Sequence, residues 1–331
     1  MKNFAYVRAT SAEDAVRKLQ TNANSQFIAG GTNLVDRLKV FLNTPVQLID
    51  VSRLDLKFIE SMPDWGVRIG ALATNTAVAD HPQIRQDYPL LSRAILSGAS
   101  QQIRNVATIG GNLLQRTRCP YYYDTAFACN KRQPGSGCPA IQGINRMHAI
   151  FGASDRCIAV HPSDMCVALA ALDAIVEVES SRGKRQIPFD DFHRLPENTP
   201  DRDTTLQAGE LITAVILPPV SFAKTGVYLK LRDRTSYAFA LVSVAAALEV
   251  RANRIHDVRL ALGGVAHKPW RSAQAEAFLK GKLANPEIFQ QAAEIALQGA
   301  KPLTHNGFKV EMAKRSIQRA LTISAQGGGV A

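Results

Sequence analysis

The sequence predicts an α+β protein in two parts. Short apolar strands alternate with helices as far as about residue 217, and beyond that point three strands are followed by three helices. There is no G-x-G-x-x-G fingerprint, so neither a nicotinamide-type Rossmann site nor a doubly wound sheet is supported. A chain of 331 residues is long enough for two domains with separate cores. We place the linker between them at Val220–Thr225, directly after Pro218 and Pro219.

The opening of the chain predicts a small α/β subdomain. Its elements follow from a capping serine, from helical periodicity and from short apolar or alternating runs. They are a helix from Ser11 to about Leu19, a strand at Gln26–Ala29, a helix at Leu34–Val40 and a strand at Val46–Val51.

A second subdomain follows, and one long irregular stretch interrupts it. Its predicted regular elements are a strand at Val67–Ala71, a helix at Pro89–Ser100, the Ala107–Leu114 segment, a return to regularity at Cys157–Val160, a helix at Ser163–Asp173, and strands at Ala174–Glu179 and Leu211–Leu217. The stretch Gln115–Arg156 contains several prolines and glycines that break helices and strands.

The C-terminal part changes pattern to three strands and then helices. The strands are predicted at Tyr228–Arg232, Leu241–Val250 and Ile255–Leu262, and the helices at Ser272–Leu279, Pro286–Gln298 and Gly307–Ser324, with a frayed tail at Gly327–Gly329. No internal repeat accompanies this change.

Two Gly-Gly loops stand beside short apolar strands. Gly30-Gly31-Thr32-Asn33 ends the first strand-to-helix turn, and Thr108-Ile109-Gly110-Gly111-Asn112 repeats the pattern. Paired glycines let the backbone approach a ligand and turn its N–H groups toward a pyrophosphate. A Gly-Gly turn alone is more often structural, but two of them favour a long phosphate-bridged ligand held between two subdomains.

Four of the five cysteines lie in or next to the irregular stretch. They are Cys119, Cys129, Cys138 and Cys157, and they contain no C-x-x-C pair, which excludes a zinc ribbon or a bacterial ferredoxin pattern. A loop of about forty residues is rare unless something orders it. Four thiolates around a metal or cluster would do so, and nearby basic residues would offset their charge. Unliganded thiols or disulfides stay open as the alternative, and Cys166 is read as a core residue.

Two polar residues have an ordinary structural interpretation and a functional one. Asp164 follows Ser163 at a helix start, where the pair suits an N-cap. Lys230 begins a polar run between two strands, where a solvated turn is expected. Binding of ligand hydroxyls by the aspartate, or approach of the lysine to a bound ligand, is the functional alternative.

Composition excludes several classes of protein. No apolar run approaches the length of about 18 residues that spans a bilayer, and the N-terminus has neither a signal-peptide core nor a twin arginine. We therefore expect synthesis in the cytoplasm without an export signal of its own. The net charge of +11 comes without any nucleic-acid-binding motif. No Ser/His/Asp or Cys/His arrangement indicates a catalytic residue.

Taken together, these motifs resemble the FAD-binding subunits of the xanthine dehydrogenase and aldehyde oxidoreductase family, over nearly the whole chain. In that family an apolar–Ala-Gly-Gly-Thr-Asn loop, here Ile28–Leu34, binds the FAD pyrophosphate. A (Ser/Thr)-Ile-Gly-Gly-Asn loop, here Thr108–Asn112, is followed by Ser-Asp, here Ser163-Asp164, with the aspartate near the ribityl chain. The resemblance also implies that Lys230 lies near the flavin ring and that Ile212 lines its pocket.

The cysteine-bearing insertion resembles one subgroup, the periplasmic aldehyde oxidoreductases, whose insertion binds a [4Fe–4S] cluster. The runs that carry this resemblance are Asn112–Asp124, Cys129–Arg132, Pro134–Cys138 and Ala261–Trp270. It implies that Cys119, Cys129, Cys138 and Cys157 are the cluster ligands and that Cys166 is not.

The resemblance implies a fold and a domain organisation. The fold is a PCMH-type FAD-binding domain of two α/β subdomains, followed by a domain with a three-stranded antiparallel sheet and helices. The FAD-binding domain would cover residues 1–222, in subdomains of about 1–53 and 54–222 with the iron–sulfur insertion at about 115–157, and the C-terminal domain would cover 223–331. The implied FAD-binding residues are Gln26, Phe27, Ile28, Ala29, Gly30, Gly31, Thr32, Asn33, Leu34, Thr108, Gly111, Asn112, Asp164, Ile212 and Lys230.

The resemblance also implies a function in electron transfer. A large molybdenum subunit would oxidise an aldehyde, and [2Fe–2S] centres of a small subunit would pass electrons to FAD here and on to an external acceptor. The three chains would form a heterotrimer that can dimerise, exported folded to the periplasm with a partner, or else cytoplasmic. Asn33 stands where relatives that reduce NAD⁺ usually have an acidic residue, which argues against that acceptor.

Two rival functions remain open. A free-standing flavin oxidase would need acid–base residues above the flavin, and a zinc-stapled scaffold would contain zinc without flavin.

Overall fold

A computed structural model describes residues 1–22, 24–63, 66–219 and 222–328. The N-terminal subdomain is a three-stranded parallel sheet in the order β1-β3-β2. Its elements are β1 (Ala5–Arg8), α1 (Ala12–Gln20), β2 (Ser25–Ile28), α2 (Leu34–Lys39) and β3 (Gln47–Asp50). The Ser11 side chain accepts from the backbone N–H of Asp14, which confirms the predicted cap. Helix α1 buries Ala15 and Val16 in one core with Ile49 of β3.

The second subdomain is built on a five-stranded antiparallel sheet in the order β4-β5-β8-β6-β7. The strands are β4 (Ile59–Met62), β5 (Gly66–Gly70), β6 (Ile175–Ser180), β7 (Gly183–Pro188) and β8 (Leu211–Leu217). The helices are α3 (Asn75–Asp80), α4 (Pro82–Asp87), α5 (Pro89–Ser97), α6 (Gln101–Arg104), α7 (Ile109–Leu113), α9 (Asp164–Ala171) and α10 (Phe189–Phe192). Helices α5 and α9 pack together and share one core with the sheet, and every residue of α9 is buried.

The cysteine-bearing insertion is irregular, as predicted. Within residues 115–157, all of which are described, it forms one turn of helix, α8 (Pro120–Tyr123), and a 3₁₀ turn at Pro139–Ile141. The Cys157–Val160 segment, where regularity was expected to return, is neither helix nor strand. Its apolar side chains are buried against the cysteine cavity described below rather than in a sheet.

The C-terminal domain is an antiparallel sheet covered by helices. Its strands are β9 (Val227–Leu231), β10 (Val242–Arg251), β11 (Arg254–Gly263) and the short β12 (Trp270–Arg271), in the order β12-β11-β10-β9. Its helices are α11 (Ala273–Leu279), α12 (Pro286–Ala296) and α13 (Phe308–Ala325). The predicted three-stranded sheet is thus confirmed, with β12 added at its edge. In the predicted linker, Ala223–Thr225 forms a 3₁₀ turn; residues 220 and 221, like residue 329 of the predicted tail, lie outside the described residues.

No helix in the described ranges is long and apolar enough to span a bilayer.

Candidate functional site

The two Gly-Gly loops lie side by side. A Cβ atom on Gly30 would stand 2.0 Å from the carbonyl oxygen of Val106, so the first loop packs directly on the backbone that leads into the second. Gly31 has a φ of +71°, a conformation that L side chains rarely adopt. The sequence predicted that both loops serve one ligand, and the fold places them where they can.

The second loop is the N-terminus of the short helix α7. Thr108 caps it by accepting from the N–H of Gly111 at 3.2 Å. A Cβ on Gly110 would meet Ala71 at 3.1 Å, whereas one on Gly111 would meet only the Thr108 hydroxyl within 4 Å. Gly110 therefore serves packing, and Gly111 leaves its outer side open to a ligand.

The predicted Ser163-Asp164 pair is joined to the second loop. The Ser163 hydroxyl donates to Asn112 Oδ1 at 2.7 Å and also accepts from the backbone N–H of Cys166, capping α9. The structural interpretation of Ser163 is thus confirmed. Because Asp164 is the next residue, this cap fixes its position relative to the second Gly-Gly loop.

Asp164 and Lys230 form a buried ion pair. Asp164 Oδ2 accepts from Lys230 Nζ at 2.8 Å, and Oδ1 accepts from the Tyr228 hydroxyl at 2.6 Å. Burial, and then the neighbouring carboxylate, raise the pKa of Tyr228 well above its usual value. The expectation that Lys230 lies in a solvated turn is wrong, because it lies within strand β9 and its side chain is 4% exposed. Sequence reasoning missed Tyr228, which lies two positions earlier on the same face of that strand.

Four cysteines line one cavity: Cys119, Cys129, Cys138 and Cys157. All five cysteines are free, and Cys166 lies apart in the core of α9, as predicted. The cavity therefore brings together the four sulfurs that the spacing alone could not place.

The cysteine cavity fits coordinated thiolates. Burial raises the pKa of Cys119 to about 12 and that of Cys157 to about 11, so thiols without a metal would stay protonated. Metal coordination deprotonates a thiol outright. Burial is the largest influence on the Cys119 and Cys138 thiols and raises the pKa of each, while nearby backbone N–H groups act to lower it. The backbone N–H of Ala159 donates to the Cys157 sulfur at 3.5 Å. Such donors stabilise negative sulfur and have little use beside neutral thiols.

A buried ionic network stands next to the cavity. Asp203 accepts from Arg116 Nε at 2.6 Å and is paired with Lys131 Nζ, which also donates to the carbonyl oxygen of Pro200 at 2.6 Å. Burial raises the pKa of Asp203, but the charges of Lys131, Arg116 and His267 outweigh it, so the pKa lies well below its usual range. Sequence reasoning missed Asp203 because it lies in a loop with no motif.

Only some of the basic residues of this stretch, which were expected to offset the thiolate charge, lie at the cavity. Lys131 and Arg156 line the cavity, but Arg104 donates to the Gly98 carbonyl oxygen and Arg146 pairs with Asp233 at the surface. Basic residues that are close to the cysteines in sequence therefore contribute less positive charge at the cavity than expected.

A second cavity abuts the first. It reaches from Asp164 to Cys119, and the two cavities share Thr117, Cys119 and His148 in their linings. Asn33 links the first Gly-Gly loop to the insertion, because its Oδ1 accepts from the backbone N–H of Arg116 at 3.1 Å.

Comparisons with known proteins agree over the whole chain. The model of the FAD binding domain in molybdopterin dehydrogenase matches residues 2–220, and that of the CO dehydrogenase flavoprotein C-terminal domain matches residues 227–323. The chain belongs to this family. FAD is therefore its cofactor, and it is an oxidoreductase subunit of the molybdenum hydroxylase type.

Relatives and solved structures extend the likeness. The chain is 50% identical over 322 residues to the aldehyde oxidoreductase FAD-binding subunit PaoB of Escherichia coli, covering 97% of this chain and 98% of that protein. It is 30% identical to the glyceraldehyde dehydrogenase medium chain of Sulfolobus acidocaldarius, covering 97% and 96%. Quinoline 2-oxidoreductase from Pseudomonas putida 86 matches with a TM-score of 0.77 at 25% identity, covering 99% of each chain.

In this FAD-binding subunit the individual flavin contacts stay predictions. Residues Gln26–Leu34 span β2, the first loop and the start of α2, while Thr108, Gly111 and Asn112 belong to the second loop. Ile212 is buried in the sheet of the second subdomain, opposite Val178. Its side chain belongs to the main core, and a flavin contact there is untested.

A histidine pair lies beside Cys166 in the FAD-binding subunit. Potential ligand atoms of His161, Cys166 and His193 lie within 4.8 Å of one another. His161 Nδ1 accepts from the Ser163 N–H, so its Nε2 carries the proton, and His193 Nε2 donates to the Leu113 carbonyl oxygen. Burial lowers the pKa of both rings. With its Nε2 protonated, His161 offers no lone pair to a metal in this tautomer, and the two rings pack edge to face with centroids 4.3 Å apart.

Proposed function

We propose that this chain is the electron-transfer subunit of a heterotrimeric, molybdenum-dependent aldehyde oxidoreductase, and that it carries a [4Fe–4S] cluster beside its FAD. The observation that carries the proposal is the convergence of Cys119, Cys129, Cys138 and Cys157 on one cavity that abuts a second cavity at Asp164. Two of the relatives described above act on aldehydes by name, and one is a medium chain, which supports the substrate class and an assembly with larger and smaller subunits.

The reaction divides between chains. On the partner that holds molybdenum, an aldehyde and water would become a carboxylic acid, two protons and two electrons. Bound FAD supplies storage for that electron pair between iron–sulfur donors and an external acceptor. This chain's part is to hold the cofactor, exclude water and set potentials, so no general base is assigned.

The two Gly-Gly loops would hold the pyrophosphate. Their backbone N–H groups, at Gly30–Gly31 and at the start of α7, supply donors without a side-chain charge. The carboxylate of Asp164 would accept from ribityl hydroxyls. Lys230, held against Asp164, would place a cation near the flavin ring, which favours its reduced, anionic form.

The cluster ligands are the four cavity cysteines. Their donor set is all sulfur, their backbone N–H donors suit thiolates, and the insertion has little other regular structure to hold its shape. The wall shared at Cys119 supports electron exchange between the cluster and the second cavity. Export to the periplasm with a partner, and an acceptor other than NAD⁺, complete the proposal.

The test is the content of iron, acid-labile sulfide and FAD per polypeptide after anaerobic purification with co-purifying subunits. We expect about four iron and four sulfide per FAD, lost on serine substitution of Cys119, Cys129, Cys138 or Cys157. The matched control is Cys166→Ala, which should keep all the iron. FAD without iron would overturn the cluster assignment, and zinc in place of iron would favour a structural staple. Bleaching of the flavin by an aldehyde in the intact complex, and not by the chain alone, tests the assigned reaction.

A further inference from the structure

One buried histidine stands between the two cavities. His148 lines both, its side chain is almost inaccessible to solvent, and its Nε2 lies 3.1 Å from Cys119 Sγ. Its Nδ1 is buried without a hydrogen-bond partner in the described part of the chain. A buried imidazole with one free nitrogen usually has a functional reason to be there.

The direction of this hydrogen bond follows from the acceptor. A coordinated thiolate has no proton to give, so it only accepts. The proton must therefore stand on His148 Nε2, whether the ring is neutral or charged. Among the hydrogen bonds of the described residues, Cys119 is the cavity cysteine whose sulfur meets a side-chain donor; the sulfur of Cys157, by comparison, is approached by the backbone N–H of Ala159.

The C-terminal domain fixes the backbone of His148. The backbone carbonyl oxygen of His148 accepts from Lys309 Nζ at 2.9 Å and from Asn306 Nδ2 at 3.2 Å. Both donors come from the start of α13 or just before it, and both are fully buried. Lys309 Nζ donates to the carbonyl oxygens of His148 and Gly264, and within the described part of the chain no carboxylate is among its hydrogen-bond partners.

We propose that His148 is a positioning residue that donates an N–H···S hydrogen bond to the cluster ligand Cys119 and thereby raises the reduction potential of the [4Fe–4S] cluster. The inference rests on the proposed function, since it needs the cluster. Hydrogen bonds to ligand sulfur stabilise the more negative, reduced state, and cluster potentials respond to them. The bond acts at the ligand that also faces the second cavity, where a small shift alters the driving force for electron exchange with FAD.

The test is an EPR-monitored redox titration of the intact complex. His148→Phe removes the donor and should shift the cluster midpoint to more negative potential while iron stays at about four per chain. His148→Gln keeps an N–H at similar reach and should restore most of the wild-type value. His256→Phe, at an exposed position on β11, is the control and should leave the midpoint unchanged. An unshifted midpoint in His148→Phe, with iron retained, would overturn the proposal.

A second measurement needs no substitution. ENDOR spectroscopy of the reduced wild-type cluster, with ¹⁵N-labelled histidine and exchange into D₂O, should reveal one coupled histidine nitrogen and one exchangeable proton. If His148→Phe loses its iron, this spectrum decides. A cluster without either coupling overturns this inference alone, whereas a wild-type complex without iron overturns the proposed cluster as well.

Discussion

Asp203→Asn should destabilise the chain although it changes little in shape. The substitution removes the charge that faces Arg116 and Lys131 and leaves both cations in place. The Lys131 side chain is 1% exposed and that of Asp203 is 26% exposed, so water can only partly replace the lost partner. Lys131, which has almost no access to solvent, therefore loses the carboxylate that balances its charge.

The magnitude follows from the burial. Removing one partner of a buried pair costs about 3–5 kcal/mol, and the partial exposure of Asp203 places the cost near 3. At about 2–4 °C per kcal/mol for a domain of this size, the melting temperature should fall by roughly 6–12 °C. That is a large part of the stability of an ordinary domain.

The assay is thermal unfolding at neutral pH, followed by circular dichroism. Glu311→Gln is the control, because its pair with Arg315 is exposed on α13 and should be worth less than about 1 kcal/mol. A melting temperature for Asp203→Asn within about 2 °C of wild type would refute the assigned cost of leaving Lys131 without its carboxylate partner.

The lowered pKa of Asp203 also predicts how its contribution to stability changes with pH. Burial raises the pKa of Asp203 but its cationic neighbours lower it further, so the folded pKa lies below the unfolded one. Its contribution is therefore complete above about pH 4 and is lost as the pH falls toward the folded pKa. The stability gap between wild type and Asp203→Asn should narrow in acid.

Two further substitutions test the flavin site. Gly30→Ala would push a Cβ into the carbonyl of Val106, an overpacking worth about 1–3 kcal/mol, and most bound FAD should be lost; Gly307→Ala, which meets nothing within 4 Å, should keep the flavin absorbance of wild type. Lys230→Met leaves a buried carboxylate unpaired, at a cost of about 3–5 kcal/mol, and should lower both flavin content and melting temperature. Lys224→Met, in an exposed pair, is its control and should cost less than about 1 kcal/mol; equal behaviour of the two lysine variants would contradict the assigned role.

The sequence was most informative where chemistry is local. The Ser11 and Ser163 caps, the two Gly-Gly turns and the irregular insertion follow from residue types within a few positions, and all are present. The grouping of the cysteines was expected because prolines and glycines left the insertion nothing else to fold around. Resemblance to a family then narrowed the metal to one kind of cluster, which stays a prediction.

Contacts between distant segments were out of reach. Asp203 meets Lys131 across 72 positions, and Lys309 meets the His148 carbonyl across 161. Neither pair leaves a pattern in the sequence. Strand β1 was missed for a different reason, since three of its four residues are exposed and no alternation marks it. Lys230 was expected to be solvated because of its polar neighbours, although it also lies in the predicted strand Tyr228–Arg232, and burial of its side chain left no local pattern.

Residues 148–151, within the insertion, connect it to the C-terminal domain by hydrogen bonds. Their backbone groups bond to Val265, Lys301 and Asn306, all in the C-terminal part. Removing everything after about residue 222 would leave these N–H and carbonyl groups without hydrogen-bond partners. Each such group that stays buried would lower the free energy of unfolding. A chimera that exchanged the C-terminal domain alone would therefore have to supply matching partners for these backbone groups of the insertion.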